Sequence, residues 1–310
     1  MGGANASVVE IHPKLCRVLM DDGGAERLCS FRRAQVVKRD REGPRERSPL
    51  CVGDRVEVLP QGSKDGVVES VEPRRNQLVR AAPGRDSQIH ALAANVDLVM
   101  IVTSAHEPDF NPGFVDRFLV GAQAAGIPSA IILNKMDLLH PGKAEPWHLY
   151  EDVVRVPVLP CCVATGQGLD AILERCRDAT VVFAGHSGVG KTSLLRKLLG
   201  SDVGRVGAVN AGTARGQHTT TSARGYRSAI GAGTWIDTPG VRAFGLQFLD
   251  TKRLLEYFPD LRELDPKGYG SLPDELLDRL VAGEAAELVQ KYPRLESYRR
   301  ILQSLREGEG

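Results

Sequence analysis

The spacing of apolar positions along the 310-residue chain changes character twice. Between residues 7 and 80 they fall in short runs, SVVEIH, LCRVLM, RLCSFR, DRVEVL and GVVESVEP, parted by Gly, Asp and Pro. MDDGG (20–24) and QGSKDG (61–66) read as turns between them. Five short strands without an intervening helix predict a small barrel, with an OB-fold as the first candidate and an SH3-like barrel as the alternative. From residue 83 the runs lengthen. VDLVMIVTS (96–104), SAIILN (129–134), VPVLPCC (156–162), TVVFAG (180–185) and TWIDTPG (234–240) are near-continuous apolar strands, and GFVDRFLVGAQAAG (113–126) carries helical spacing. Strands alternating with helices predict an α/β domain whose parallel sheet is covered on both faces. Beyond residue 245, DTKRLLEYFPDL, LPDELLDRLVAGEAAELVQKY and LESYRRILQSLRE repeat apolar residues at helical spacing, with Pro273 near a helix start. The expected division is a barrel over 1–82, an α/β domain over 83–245 and a small helical domain over 246–310.

Composition narrows this little. With 42% hydrophobic and 25% charged residues and a net charge of +1, the chain is ordinary for a soluble globular protein. Residues 1–82 hold 15 Lys/Arg against 12 Asp/Glu, or +3; residues 250–310 hold 10 against 13, or −3. The insert KRDREGPRERS (38–48) reads either as a solvated surface loop or as a contact to a phosphate backbone. The N-terminus lacks the pattern of a signal peptide, and no apolar stretch approaches the roughly 18 residues of a membrane span. The six cysteines form no Cys-x-x-Cys pair and read as reduced thiols. Together these predict a cytoplasmic protein without a membrane partner.

Candidate chemistry starts at GHSGVGKT. Gly185-x4-Gly190-Lys191-Thr192 follows an apolar strand and opens a helix, the setting a phosphate-binding loop requires. The glycines let backbone N–H groups point inward, and the helix N-terminus favours an anion. The nucleotide-binding candidates here are Gly185, His186, Ser187, Gly188, Val189, Gly190, Lys191, Thr192 and Ser193. Lys191 is expected at the β- and γ-phosphates, and the Thr192 hydroxyl on Mg²⁺. WIDTPG adds Asp237 as a second magnesium candidate and the Gly240 N–H as a donor to the γ-phosphate.

LNKMD places Asn134, Lys135 and Asp137 at the carboxyl end of a buried strand, where open α/β sheets bind ligands. The Asp137 carboxylate can accept from guanine N1–H and the 2-amino group. Adenine offers neither donor, so a site built this way reads GTP and GDP over adenine nucleotides. The Lys135 stem can lie along the base, and Asn134 can tie this loop to the phosphate loop. CCVATGQGL extends the pocket through Cys162 and Val163, whose N–H can meet the guanine O6.

The base-reading loop precedes the phosphate loop, the reverse of the order in most GTPases. A site needs its loops gathered in space, in any chain order, so the order implies a circularly permuted P-loop GTPase domain. Barrel, permuted GTPase and helical tail resemble the ribosome small-subunit-dependent GTPase A family. The resemblance is carried by VGDRVEV (52–58), EPRRNQLVR (72–80), NVDLVMIV (95–102), VDRFLV (115–120), LNKMDLL, TGQGL, GHSGVGKTSLL, RGQHTTT (215–221) and DTPGVRAFGL (237–246). It implies a GTPase stimulated by the small ribosomal subunit and acting late in its assembly, with Mg²⁺ as cofactor. It also implies a barrel in contact with ribosomal RNA; phosphate contact through Arg32, Arg33, Arg74, Arg75 and Arg80 is the mode the sparse aromatics leave. An RNA-binding GTP switch of another assembly step, with incidental hydrolysis, is the alternative. The resemblance makes RGQHTTT the first switch loop, His218 and Thr220 catalytic candidates beside Gly240, and any of Thr219, Thr220 or Thr221 a reach to Mg²⁺ and the γ-phosphate. Val241 stands where many GTPases carry a water-orienting glutamine, which predicts slow unstimulated turnover. The family's tail usually carries a Cys/His zinc site. This chain has no Cys after Cys176 and no His after His218, so zinc is not expected. The protein is expected to be a monomer.

Overall fold

The computed structural model of the chain describes residues 3–23, 25–31, 49–81, 89–139, 142, 145–200, 223–238, 244–246 and 249–307. His218, Thr219, Thr220, Thr221, Gly240, Val241, Arg32, Arg33 and the 38–48 insert lie outside them.

Five strands, β1 (Ala6–Ile11), β2 (Leu15–Met20), β3 (Arg27–Phe31), β4 (Arg55–Gln61) and β5 (Asp65–Val71), close into a barrel in the order β1-β2-β3-β5-β4. β3 and β5 run parallel and the other pairs antiparallel, the Greek-key closure of an OB-fold. Alternate residues point inward, so Val8, Val18, Val56, Val58 and Val68 are buried in one cluster with Cys16 and Cys29.

A hairpin that the apolar pattern does not announce follows the barrel. β6 (Gln77–Ala81) pairs antiparallel with β7 (Ile89–Ala94), and the expected division at residues 82/83 falls between its two strands. Asn76 and Val96 exchange two hydrogen bonds at 2.8 Å across its base. Gly53 lies so close to Ala94 that a β-carbon would sit 2.1 Å from the Ala94 carbonyl oxygen, which joins barrel and hairpin at a point only glycine fits.

Arg74 differs from its sequence reading. It is 5% exposed and forks onto fully buried Asp54, Nε to Oδ1 at 2.6 Å and Nη2 to Oδ2 at 2.9 Å. Asp54 in turn accepts from the Cys51 N–H at 2.7 Å. A guanidinium spent on a buried carboxylate cannot also serve a phosphate backbone, so Arg74 is a structural residue. Arg75 stays 63% exposed while bonding Asp97 and the Asn95 carbonyl, and Arg80 donates to His90 Nδ1 at 3.0 Å.

The central sheet has the order β10-β9-β8-β11-β13-β12. Its strands are β8 (Leu98–Ser104), β9 (Ser129–Asn134), β10 (Val158–Pro160), β11 (Val181–Ala184), β12 (Arg224–Arg227) and β13 (Thr234–Asp237). All pairs are parallel except β12/β13. Strict alternation feeds both faces. Val99, Ile101, Ile131, Leu133 and Val182 pack with α1 (Pro112–Ala124) and α2 (His148–Asp152). Leu98, Met100, Val102, Ile132, Val181 and Phe183 pack with α3 (Leu169–Arg175) and α4 (Lys191–Leu199).

The tail is less regular than its apolar spacing suggests. Thr251–Tyr257 and Pro259–Leu264 are 3₁₀ helices, and the long run after Pro273 breaks into α5 (Asp274–Val281) and α6 (Ala286–Lys291) around Gly283 at φ 76°. α7 (Leu295–Arg306) closes the cluster of Leu254, Phe258, Leu261, Leu277, Tyr298 and Ile301. The tail is pinned to α1 by a buried ion network: Arg294, 1% exposed, donates to Asp116 at 2.7 Å and Asp260 at 2.6 Å. Its guanidinium carbon also sits 4.4 Å from the Phe258 ring centre. Among the described residues, no group of three or more His, Cys, Asp or Glu side chains is placed to hold a metal, and no helix is long and apolar enough to cross a membrane.

Candidate nucleotide site

Parallel pairing fixes where the motifs meet. Ser104 is level with Asn134, Ala184 with Ile101, and Phe183 with Asp237, so the loops after β8, β9, β11 and β13 leave the same edge of the sheet. These are carboxyl ends, the ligand-binding edge of open α/β sheets.

The phosphate loop, residues 185–190, runs from β11 into α4. Two of its glycines have a steric reason. Gly185 passes Val102 so closely that a β-carbon would lie 2.7 Å from the Val102 oxygen, and Gly190, at φ +89°, has Asn134 Nδ2 where its β-carbon would be, 2.4 Å away. Gly190 caps α4, and Lys191, Thr192 and Ser193 form its first turn. Thr192 and Ser193 are exposed and Lys191 is buried. The α4 N-terminus thus directs unsatisfied N–H groups at this edge.

Lys191 Nζ donates to Asp237 Oδ1, so the groups expected for phosphate and magnesium meet at one point. Thr192 and Asp237 offer a hydroxyl and a carboxylate, hard oxygens of the kind magnesium takes. That ion needs only one or two protein ligands beside phosphate and water, so this donor set fits it. Thr238, next in sequence, is buried and donates through Oγ1 to the Phe183 carbonyl at 2.9 Å, which holds the end of β13 against β11.

Asn134 knits the loops. Its Nδ2 donates to the Val189 carbonyl at 2.9 Å, and its Oδ1 accepts from the Val163 N–H at 3.2 Å. The Val163 N–H, expected to face a guanine O6, has Asn134 as its partner instead, because the Asn134 amide turns its nitrogen to the phosphate loop and its oxygen to the 162–163 loop. Asp137 is exposed in the single 3₁₀ turn Met136–Leu138, and its Oδ1 accepts from the Cys162 thiol at 3.0 Å. Burial, and then neighbouring Cys162, push the Cys161 thiol up to about 12, so it stays neutral behind the pocket. Lys135 is left-handed at φ 61°, and its ammonium donates to the Glu107 carbonyl.

The loop of residues 105–110 is part of this site and carries no motif that announces it. Besides Glu107, it brings Pro108 to 3.5 Å from where a β-carbon on Gly188 would be. The Ser104 hydroxyl donates to the Pro108 carbonyl at 2.6 Å and holds the turn. His186 also has neighbours that its motif position does not reveal. Its ring stands edge-on to Phe114 of α1, centres 5.0 Å apart, and its Nδ1 lies 3.0 Å from the Ser187 carbonyl.

Of the residues expected at the nucleotide, the structure gathers Asn134, Lys135, Asp137, Cys162, Val163, Gly185–Gly190, Lys191, Thr192, Ser193 and Asp237 at one sheet edge. The model of the RsgA GTPase family matches residues 71–247, more than half the chain. Among curated relatives, a "Small ribosomal subunit biogenesis GTPase RsgA" of Chlorobaculum tepidum is 34% identical over 275 residues, covering 83% of this chain and 86% of the relative. One of the same name from Vibrio cholerae is 40% identical over 258 residues, covering 79% of this chain and 64% of the relative. Among solved structures, YjeQ from Thermotoga maritima superposes with a TM-score of 0.65 at 26% identity, covering 97% and 98% of the two chains. YloQ, described as a circularly permuted GTPase, also gives 0.65 at 23% identity and 99% and 96% coverage, a likeness of fold. With its barrel, its permuted order of loops and these matches over most of its length, the chain belongs to the RsgA GTPase family.

Proposed function

We propose that this protein hydrolyses GTP to GDP and phosphate, that the small ribosomal subunit stimulates the reaction, and that it acts late in the assembly of that subunit. The observation that carries the reading is the pair of cross-ties at the sheet edge: Asn134 to Val189 joins base-reading loop to phosphate loop, and Lys191 to Asp237 joins phosphate loop to the magnesium strand. The names of the relatives support the ribosomal part.

In this reading Asp137 selects guanine through its carboxylate, and the Cys162 thiol holds that carboxylate in place. Lys191 and the N–H groups of residues 185–193 bind the phosphates. Thr192 and Asp237 hold Mg²⁺, which would neutralise charge developing on the phosphate oxygens. His218, Thr220 and the Gly240 N–H complete the γ-phosphate side. Val241 cannot orient a water, so the isolated protein turns over slowly and the subunit completes the site. Residues 1–82 serve as the RNA-contacting unit, 83–245 as the GTPase and 246–310 as a helical unit independent of zinc. The protein works as a cytoplasmic monomer.

The test is phosphate release titrated with purified small subunits. The reading expects a rise of at least an order of magnitude in turnover. Subunits that bind without accelerating release would favour a GTP-dependent RNA-binding switch whose hydrolysis is incidental.

A further inference from the structure

A phosphate loop has few side chains with which to hold its shape. Of residues 185–190 three are glycines, and Ser187 is exposed. Only Val189 and His186 remain to pack. Val189 is buried on the α4 side of the sheet, among Val102, Leu194 and Leu195. His186 reaches the opposite side, where Phe114 belongs to the cluster that holds α1. The loop is therefore gripped from both faces, with His186 supplying a contact on the α1 side. With the proton on Nδ1, the same imidazole donates to the Ser187 carbonyl at 3.0 Å, a bond to its own neighbour in the chain that adds no tie to α1.

Phe114 is no isolated neighbour. It stacks on Phe118 one turn along α1 at 4.5 Å, and Phe118 stands edge-on to Phe244 at 4.5 Å. Phe244 follows the Asp-Thr-Pro-Gly turn by four residues. It also packs so closely on α1 that a β-carbon on Gly121 would meet the Phe244 β-carbon at 2.8 Å. On the same helix Asp116 takes the Arg294 ion pair, and Val120 joins the tail's own core. A helix that holds the C-terminal unit, through Asp116 and Val120, thus also touches the phosphate loop with its N-terminal turn.

We propose that His186 is a positioning residue of the nucleotide site: its ring fastens the phosphate loop to α1, so that the seat of α1 on the C-terminal helices sets the loop's hold on the phosphates. The inference rests on the reading of residues 185–193 as a guanine-nucleotide loop.

A double-mutant cycle tests it, read as GDP affinity with magnesium on the full chain. Aromatic pairs of this kind couple by about 2- to 12-fold in an equilibrium constant. H186A and F114A should each weaken GDP by about that factor, and the double variant should be little worse than either single one. H186F keeps the ring and should recover most of the affinity lost in H186A; H186N keeps a donor without the ring and should not. F114L, which keeps apolar volume, replaces F114A if thermal melts show F114A unfolded. Hydrogen exchange gives a second readout: GDP should slow exchange of the amides of residues 114–118 in the wild type, and this protection should vanish in H186A. Additive losses in the cycle, recovery by H186N rather than H186F, or protection that persists in H186A would each overturn the proposal. A wild type that binds no guanine nucleotide would instead sink the functional reading itself, and the proposal with it.

Discussion

Arg294 offers the sharpest test of how the tail is held against α1. Its guanidinium is 1% exposed and divides between Asp116, fully buried, and Asp260, 7% exposed. Arg294→Met keeps much of the aliphatic volume and removes the charge, leaving two carboxylates buried without their cation. Breaking a buried pair from one side costs about 3–5 kcal/mol, a large part of a domain's typical stability. Burial already raises the Asp116 carboxyl above its ordinary value against the pull of Arg294, and the variant loses that pull. The folded variant then keeps a proton on Asp116 at a pH where the unfolded chain has released it. The contribution of Asp116 to the variant's stability is therefore greatest below the ordinary carboxylate range and is lost as pH rises through its raised value. Urea unfolding followed by circular dichroism at several pH values measures this. The expected result is a deficit against wild type that is largest near neutrality and shrinks toward acid, with Asp116→Asn added to R294M restoring a substantial part of it. A loss under about 1 kcal/mol, or no recovery from the second substitution, would refute the account of this network.

Four further outcomes follow from the site and the cores. Asp137→Asn should lower GTP affinity by about a hundredfold or more while xanthine nucleotides gain, measured by competition against a fluorescent GDP. Gly190→Ala should cost the chain about 1–3 kcal/mol and most of its nucleotide affinity, because the residue sits at φ +89° with Asn134 Nδ2 in the path of its methyl group; melts and GDP titration read both. Burial pushes Cys16, Cys161 and Cys176 up to about 12 and Cys29 to about 11, so none of the four should be alkylated at pH 8 until urea is added, as mass spectrometry would report. The same thiols make stability fall as pH climbs from 9, where unfolded thiols ionise, toward those raised values.

The sheet and its motifs were legible because each carries a strong local signal. Continuous apolar runs such as VDLVMIV, short and rich in β-branched residues, suit strands covered on both faces, and a glycine-rich turn between strand and helix has few other uses. What escaped depends on partners distant in sequence. β6 and β7 read QLVRA and IHALAA, with alanines where a sheet-former would show, and only their mutual pairing makes them strands. β12 reads RGYR, an edge strand whose charged residues serve the barrel, with Arg224 bonding Glu10 of β1. Arg74 looks like a surface charge until Asp54, twenty residues earlier, appears buried beneath it. In the tail, apolar spacing cannot separate 3₁₀ from α geometry over two turns, and Pro259 divides a stretch the periodicity joins. The contribution of residues 105–110 to the site was invisible for a different reason: they act largely through backbone carbonyls, which no residue type records.

Titration calorimetry with magnesium, comparing GDP with ADP on the full chain, tests the central claim most directly. If residues 134–137, 185–193 and 237 form one guanine-nucleotide site, GDP binds with a one-to-one stoichiometry and ADP gives no saturable heat at the same concentrations. Equal affinity for the two nucleotides, or none for GDP, would contradict the account.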